Sequence, residues 1–168
     1  MTPRDLVVTR WGARYLGRDI ACAVGRGGIT HTKHEGDSAT PAGVFHMYDF
    51  VSYYRPDRYA GALGQPLRRN FIWSDDQHDP GYNRLGILTD NRRCRYSHER
   101  LWRGDGLYDL IIDIGYNANP AQSGKGSAIF IHRWRKPRHP TEGCIAFSNT
   151  DLHWIVERMN WCDRLIIR

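Results

Sequence analysis

Hydrophobic residues in this chain alternate with polar ones over short runs, and each run stops within a few residues at Gly, Pro or Asn. A two-residue period puts successive side chains on opposite faces of an extended backbone, so the pattern predicts short β-strands. The runs cover residues 6–11, 20–24, 43–53, 107–116, 128–132 and Arg164–Ile167. In LYDLIIDIGYN, Ile112, Ile114 and Tyr116 fall on one face, with Asp113 and Gly115 opposite. In SAIFIH, Ala128, Phe130 and His132 share a face, which places an imidazole at the end of a buried strand. A rigid strand end can hold a catalytic base in a single geometry.

One segment changes to the helical period. Ser148 is a capping residue, Asp151 suits the first turn, and Leu152, Ile155, Val156 and Met159 form a stripe on one side. That stripe reads as core packing. A second, weaker helix is predicted over residues 97–102. With neither linker nor internal repeat, the 168 residues make one domain, 1–168. The predicted fold class is mainly β, with one or two covering α-helices.

Composition adds little to the fold and something to the partners. An aromatic content of 12% and 17 glycines suit a β-rich, turn-rich domain. A net charge of +6 favours an anionic partner without choosing among nucleic acid, glycan polymer and acidic peptide. No apolar run approaches the ~20 residues of a membrane-spanning helix. The opening MTPRDLVVTRWGARYLG also lacks the apolar core of a signal peptide. Cys22, Cys94, Cys144 and Cys162 form neither a CxxC pair nor a zinc-ligand rhythm. Cys22 and Cys162 are expected in the core, and Cys94 in a basic loop. Asp75, Asp76 and His78 lack a second ligand group, and His31 and His34 lie in a Gly/Thr-rich loop, so no metal is expected.

Cys144 is different. It follows Gly143 in GSAIFIHRWRKPRHPTEGCIAFS (residues 126–148), twelve residues after His132. A thiol becomes a nucleophile when a neighbouring base takes its proton, and a preceding Gly lets backbone N–H groups turn toward a developing oxyanion. Cysteine acyl transfer is the chemistry these residues suit. A rival class rests on RRCRYSHERLWR (residues 92–103), where Arg alternates with Tyr and Trp as in stacking nucleic-acid binders. No recognised motif organises those charges, and nucleic acid is not the expected partner.

The same residues carry a family likeness. GITHTKHEGDSATPAGVF (28–45), WSDDQHDPGYNRL (73–85), YDLIIDIGYN (108–117) and GSAIFIH…PTEGCIAF (126–147) resemble the L,D-transpeptidases of bacterial peptidoglycan, with their YkuD-type catalytic domain. Thr141, Gly143 and Cys144 match the family signature, while Glu142 stands where a His is usual and Ala146 where an Arg is usual. These departures look like the compact proteobacterial branch. The resemblance implies a YkuD-like β-sandwich, a Cys144 nucleophile, a His132 base and backbone oxyanion donors at Gly143–Cys144. It also implies that the Arg133 carbonyl orients the imidazole. Tyr116, Asn117, Asp76, Tyr82, Asn83, Arg135, Thr141 and Glu142 are the candidate substrate contacts, although a turn at the strand end is the favoured role of Tyr116 and Asn117. Arg135, Lys136 and Arg138 could grip a substrate carboxylate or be solvated loop charge. The implied partners are peptidoglycan stem peptides and D-amino acids, with no cofactor, in the periplasm. The product would be a 3-3 crosslink, by family frequency, or a 1-3 crosslink. Carboxypeptidase or amidase action by the same two residues is the nearest alternative.

Overall fold

The alternating runs resolve into two main sheets packed face to face. They are seen in a computed structural model that describes residues 1–58, 64–89, 95–160 and 162–168. The first sheet has the order Arg18–Ile20, Gly12–Tyr15, Asp5–Thr9, Arg164–Ile167, Gly43–His46. Its centre pairs the N-terminal strand in parallel with the C-terminal one, Leu6 opposite Leu165. The second sheet has the order Cys22–Ala23, Ile145–Phe147, Phe130–Arg133, Leu110–Asp113, Val51–Tyr54, Gln65–Pro66. Leu6, Val8, Tyr15, Leu165 and Ile167 from the first sheet meet Leu110, Ile112, Ile131, Ile145 and Phe147 from the second in one buried core.

The second sheet is covered on its other face too. Ile111 and Phe130 point away from the sandwich and pack with Trp73 and Phe71 of a three-stranded sheet, Leu85–Ile87, Phe71–Ser74 and His98–Arg100, and with Leu101 just after its last strand. Burial on both faces explains the nearly continuous apolar runs LIID and FIH. The fold is mainly β, as its sequence predicts, with a single α-helix among the described residues, Asn149–Val156. The Ser148 hydroxyl caps it by accepting from the Asp151 N–H at 3.0 Å, and Leu152, Ile155 and Val156 are buried.

Several expectations are corrected. Residues 97–102 hold no helix: His98–Arg100 is a strand, because the free edge of Phe71–Ser74 offers its backbone a ladder and Leu101 a buried seat. The 43–53 run is broken by a 3₁₀ turn, Met47–Asp49, and the 20–24 run pauses at Ala21. Cys22 is buried as expected, but Cys162 sits exposed in the turn before the last strand. Cys94 lies outside the described residues. Around that turn the buried Asp163 accepts hydrogen bonds from Arg4 and from the Tyr15 hydroxyl, and Asp5 takes both ends of the Arg164 guanidinium at 2.9 Å. These contacts bind the N-terminal and C-terminal strands together at the centre of the first sheet.

Candidate active site

Strands Phe130–Arg133 and Ile145–Phe147 run parallel with His132 opposite Ala146. Cys144 lies two residues before Ala146, so the two-residue period returns its side chain to the face that carries His132. Both residues line one cleft of about 330 Å³. The turn that delivers Cys144 is fixed from beneath. Gly143 has φ +138°, and a Cβ there would come within 3.0 Å of the Ala39 carbonyl oxygen, so the position demands glycine. The fully buried Thr40 hydroxyl donates to the Gly143 carbonyl at 2.8 Å and accepts from the Gly25 N–H at 2.8 Å. Thr141 ties the turn from within: its hydroxyl donates to the Cys144 carbonyl at 2.6 Å and accepts from the Gly143 N–H at 3.2 Å.

His132 is buried with its Nδ1 2.7 Å from the Arg133 carbonyl oxygen. A carbonyl can only accept, which assigns the proton to Nδ1 and leaves the Nε2 lone pair free to act as a base. The ring stands edge-on to Tyr108 at 5.2 Å between centroids. Burial lowers the imidazole pKa to about 4, against the opposing pull of the Arg133 carbonyl. The Cys144 sulfur donates to the Ala128 carbonyl at 3.2 Å and accepts from the Phe130 N–H at 3.4 Å. Desolvation, reinforced by the Glu99 carboxylate, pushes the thiol up to about 12.

Both shifts favour the uncharged form, a thiol and a neutral imidazole, and desolvation is the leading cause of each. Iodoacetamide reacts with thiolates, so near neutral pH it should alkylate the exposed Cys162 ahead of Cys144. Peptide mass spectrometry over a time course reads the order. Labelling of Cys144 first would show a preformed thiolate–imidazolium pair.

The cleft also gathers Glu99, Arg103 and Tyr108, whose place there no local pattern announced. Tyr108 donates to Glu99 at 2.8 Å, and Arg103 reaches Glu99 at 3.5 Å and Asp105 at 2.7 Å while lying over the Tyr108 ring. Glu99 is raised above the ordinary carboxylate range by burial. Asp75 also lines the cleft and keeps one buried carboxylate oxygen without a hydrogen-bond partner. These residues come from the three-stranded sheet and the connection that follows it. Only their pairing across that sheet brings them to His132. Arg103 was visible in sequence, but as part of a basic stretch.

The eight candidate contacts divide in two. Arg135, Thr141 and Glu142 line the cleft, and Glu142 is ion-paired with Arg26 and accepts from the Ser38 hydroxyl at 2.7 Å. Tyr116, Asn117, Asp76, Tyr82 and Asn83 are engaged within the fold. The Tyr116 hydroxyl donates to the Lys125 carbonyl, and Asn117, at φ +52°, closes the 117–126 turn through Gln122 and Gly126. Asp76 accepts from the His78 and Ser97 N–H groups, and the Tyr82 hydroxyl bonds Glu35. Asn83 makes a four-way bond beneath the site. Of the loop cations, Arg138 turns away from the cleft to donate to the Trp11 carbonyl, which corrects its proposed grip on a carboxylate; Lys136 is exposed and also stands outside the cleft. Among the described residues, no group of three or more His, Cys, Asp or Glu side chains is arranged to hold a metal ion.

Comparison with known proteins bears directly on this geometry. The model of the L,D-transpeptidase catalytic domain, YkuD, matches residues 4–167. The chain belongs to this family. The matched span contains His132, Gly143 and Cys144, together with both main sheets and the helix. An L,D-transpeptidase from Mycobacterium smegmatis is a similar solved structure, at 11% identity and a TM-score of 0.39. The similarity covers 94% of this chain and 52% of that one, so this chain spans about half its length. No curated protein sequence matches the chain.

Proposed function

We propose that this member of the L,D-transpeptidase family crosslinks peptidoglycan stem peptides through a Cys144 thioester. The observation that carries the reading is the parallel pairing of His132 with Ala146, which sets base and thiol on one face of one cleft with Nδ1 already engaged. Nε2 takes the thiol proton as sulfur attacks the carbonyl between an L-configured centre and the following D-residue. With the thiol near 12 and the imidazole near 4, the proton stays on sulfur until attack begins, so transfer and bond formation are coupled. The tetrahedral oxyanion takes the N–H groups of Gly143–Cys144, that of Gly143 exchanging the Thr141 hydroxyl for the oxyanion. The imidazolium returns its proton to the departing amine, and a thioester remains. An acceptor amine then loses a proton to Nε2, attacks the thioester carbon and releases the sulfur.

A 3-3 product comes first by family frequency, and the Glu142 and Ala146 departures keep the 1-3 product in contention. A peptidoglycan substrate argues for a periplasmic enzyme. Water in place of the amine gives the carboxypeptidase or amidase alternative, with the same residues and only the acceptor changed. The nucleic-acid reading has lost support, because Arg103 is turned into the cleft and paired with Glu99 and Asp105.

The test is incubation with diaminopimelate-containing sacculi and soluble muropeptides, then digestion and fragmentation mass spectrometry. Crosslinked dimers absent from a Cys144→Ala control are expected, and fragment masses separate 3-3 from 1-3. Trimmed monomers without dimers would identify a hydrolase.

A further inference from the structure

The catalytic cleft does not end at the catalytic pair. Arg26 and Pro140 at its rim also line a second depression of about 720 Å³. That depression shares Arg138 and Arg168 with a third, of about 760 Å³, that reaches Trp11. Through these shared residues the three depressions adjoin in turn, from Cys144 past the loop between His132 and Cys144 to the hairpin tip at Arg10–Trp11.

The chemistry along this path is consistent. Arg10, Arg26, Arg138 and Arg168 are all exposed. Two acids line the far end, Asp5, which is held by Arg164, and the exposed Asp19; at the near end Glu142 is held by Arg26, which leaves Arg10, Arg138 and Arg168 in excess of Asp19. Trp11 is 75% exposed, with the Arg10 guanidinium over its ring at 4.7 Å. A large indole left in water at a hairpin tip contributes nothing to the core, and its free face suits stacking on a sugar ring. The tip is also fixed in place relative to the active site: Arg138, from the loop that joins His132 to Cys144, donates to the Trp11 carbonyl at 2.7 Å.

We infer that the groove from Arg26 to Trp11 is an exosite for the polymer backbone of the substrate, a carbohydrate strand bearing peptide carboxylates. The inference rests on the transpeptidase reading for the identity of the polymer. Continuity with the cleft favours this occupant over nucleic acid, since a strand seated on Trp11 and Arg138 delivers its attached peptide toward Cys144. The groove then separates two tasks: the cleft reads the peptide, and the arginine–tryptophan path holds the strand that carries it. Polymer is bound more tightly than an isolated muropeptide, and the difference falls as salt screens the arginines.

The test uses the full chain as an inactive Cys144→Ala background for binding and the active chain for turnover. Co-sedimentation with purified sacculi is measured across a salt series for the parent, for Arg10→Glu combined with Trp11→Ala, and for Arg168→Glu alone. These residues are exposed, so circular dichroism and thermal melts should match the parent. Sacculus affinity is expected to fall about tenfold in the double variant and by a smaller factor in Arg168→Glu. In the active background, turnover of soluble disaccharide-peptides should stay within about twofold of the parent, because the substituted side chains lie away from the cleft. Undiminished sacculus binding by the double variant would overturn the inference. So would single-stranded DNA that binds the parent as tightly as sacculi and is lost in the same variants. If the parent fails to turn over any muropeptide, the function reading falls, while the sedimentation comparison still decides whether the groove holds the polymer.

Discussion

Cys144→Ala should eliminate crosslinked product, a loss on the order of 10⁴-fold or more, while the protein melts at nearly the parent temperature. The stability half of this expectation follows from the sulfur's surroundings. It makes two weak hydrogen bonds, to Ala128 and Phe130, and stands only partly buried beside the cleft. Its removal opens space toward an existing cleft and leaves no enclosed cavity, so the cost is about 1 kcal/mol or less. The catalytic half follows from covalency, since no other described side chain in the cleft offers a thiol. His132→Ala should fall by a similar factor, and the double variant should be no worse than either single one, because base and nucleophile act as a unit. Mass spectrometry of muropeptide products, paired with thermal melts, measures both halves. Retention of a few per cent of activity by either single variant would refute the mechanism.

That Cys144 and His132 would share one cleft was legible in sequence because the signals are local. GC before an apolar triplet, and a His ending an alternating run, can each be read within a few residues, and strand pairing only had to bring them side by side. The two main sheets were legible from short apolar runs bounded by turn residues, although IAF, FIH and LIID are nearly continuous rather than alternating because both of their faces are buried. The cleft wall was not. Glu99 and Tyr108 meet His132 through a third sheet whose strand His98–Arg100 reads as helix in isolation, and the ladder to Phe71–Ser74 overrides that preference. The turn-closing role favoured for Asn117 is the one found, whereas the role of Asn83 was hidden, because a polar residue between strands looks alike in sequence whether it faces a ligand or its own backbone. The left-handed φ and filled hydrogen bonds of Asn83 distinguish the two.

Asn83→Ala is expected to lower stability by about 3–5 kcal/mol, more than any surface change considered above. Asn83 is 4% exposed at φ +57°, a conformation in which Asn is far better tolerated than Ala. Its Oδ1 accepts from the Trp73 indole at 2.9 Å and from the Ala128 N–H at 3.0 Å, while Nδ2 donates to the Tyr116 and Asn117 carbonyls, both at 2.9 Å. One amide thus joins the three-stranded sheet, the 117–126 turn and the segment leading into the His132 strand. Alanine would strand four partners in a region with little room for replacement water. The melting temperature should drop by roughly 10 °C, taking about 2–4 °C per kcal/mol for a chain of this size. Asn83→Asp should be no better, because it keeps the acceptor but turns a carboxylate toward two carbonyl oxygens. The damage should reach catalysis as well, since Ala128, held by Asn83 through its N–H, is the residue whose carbonyl holds the Cys144 thiol. A side chain that served only to contact substrate would behave otherwise. Asn83→Ala would then raise KM with the melt unchanged, and that pair of results would return Asn83 to the substrate side of the site.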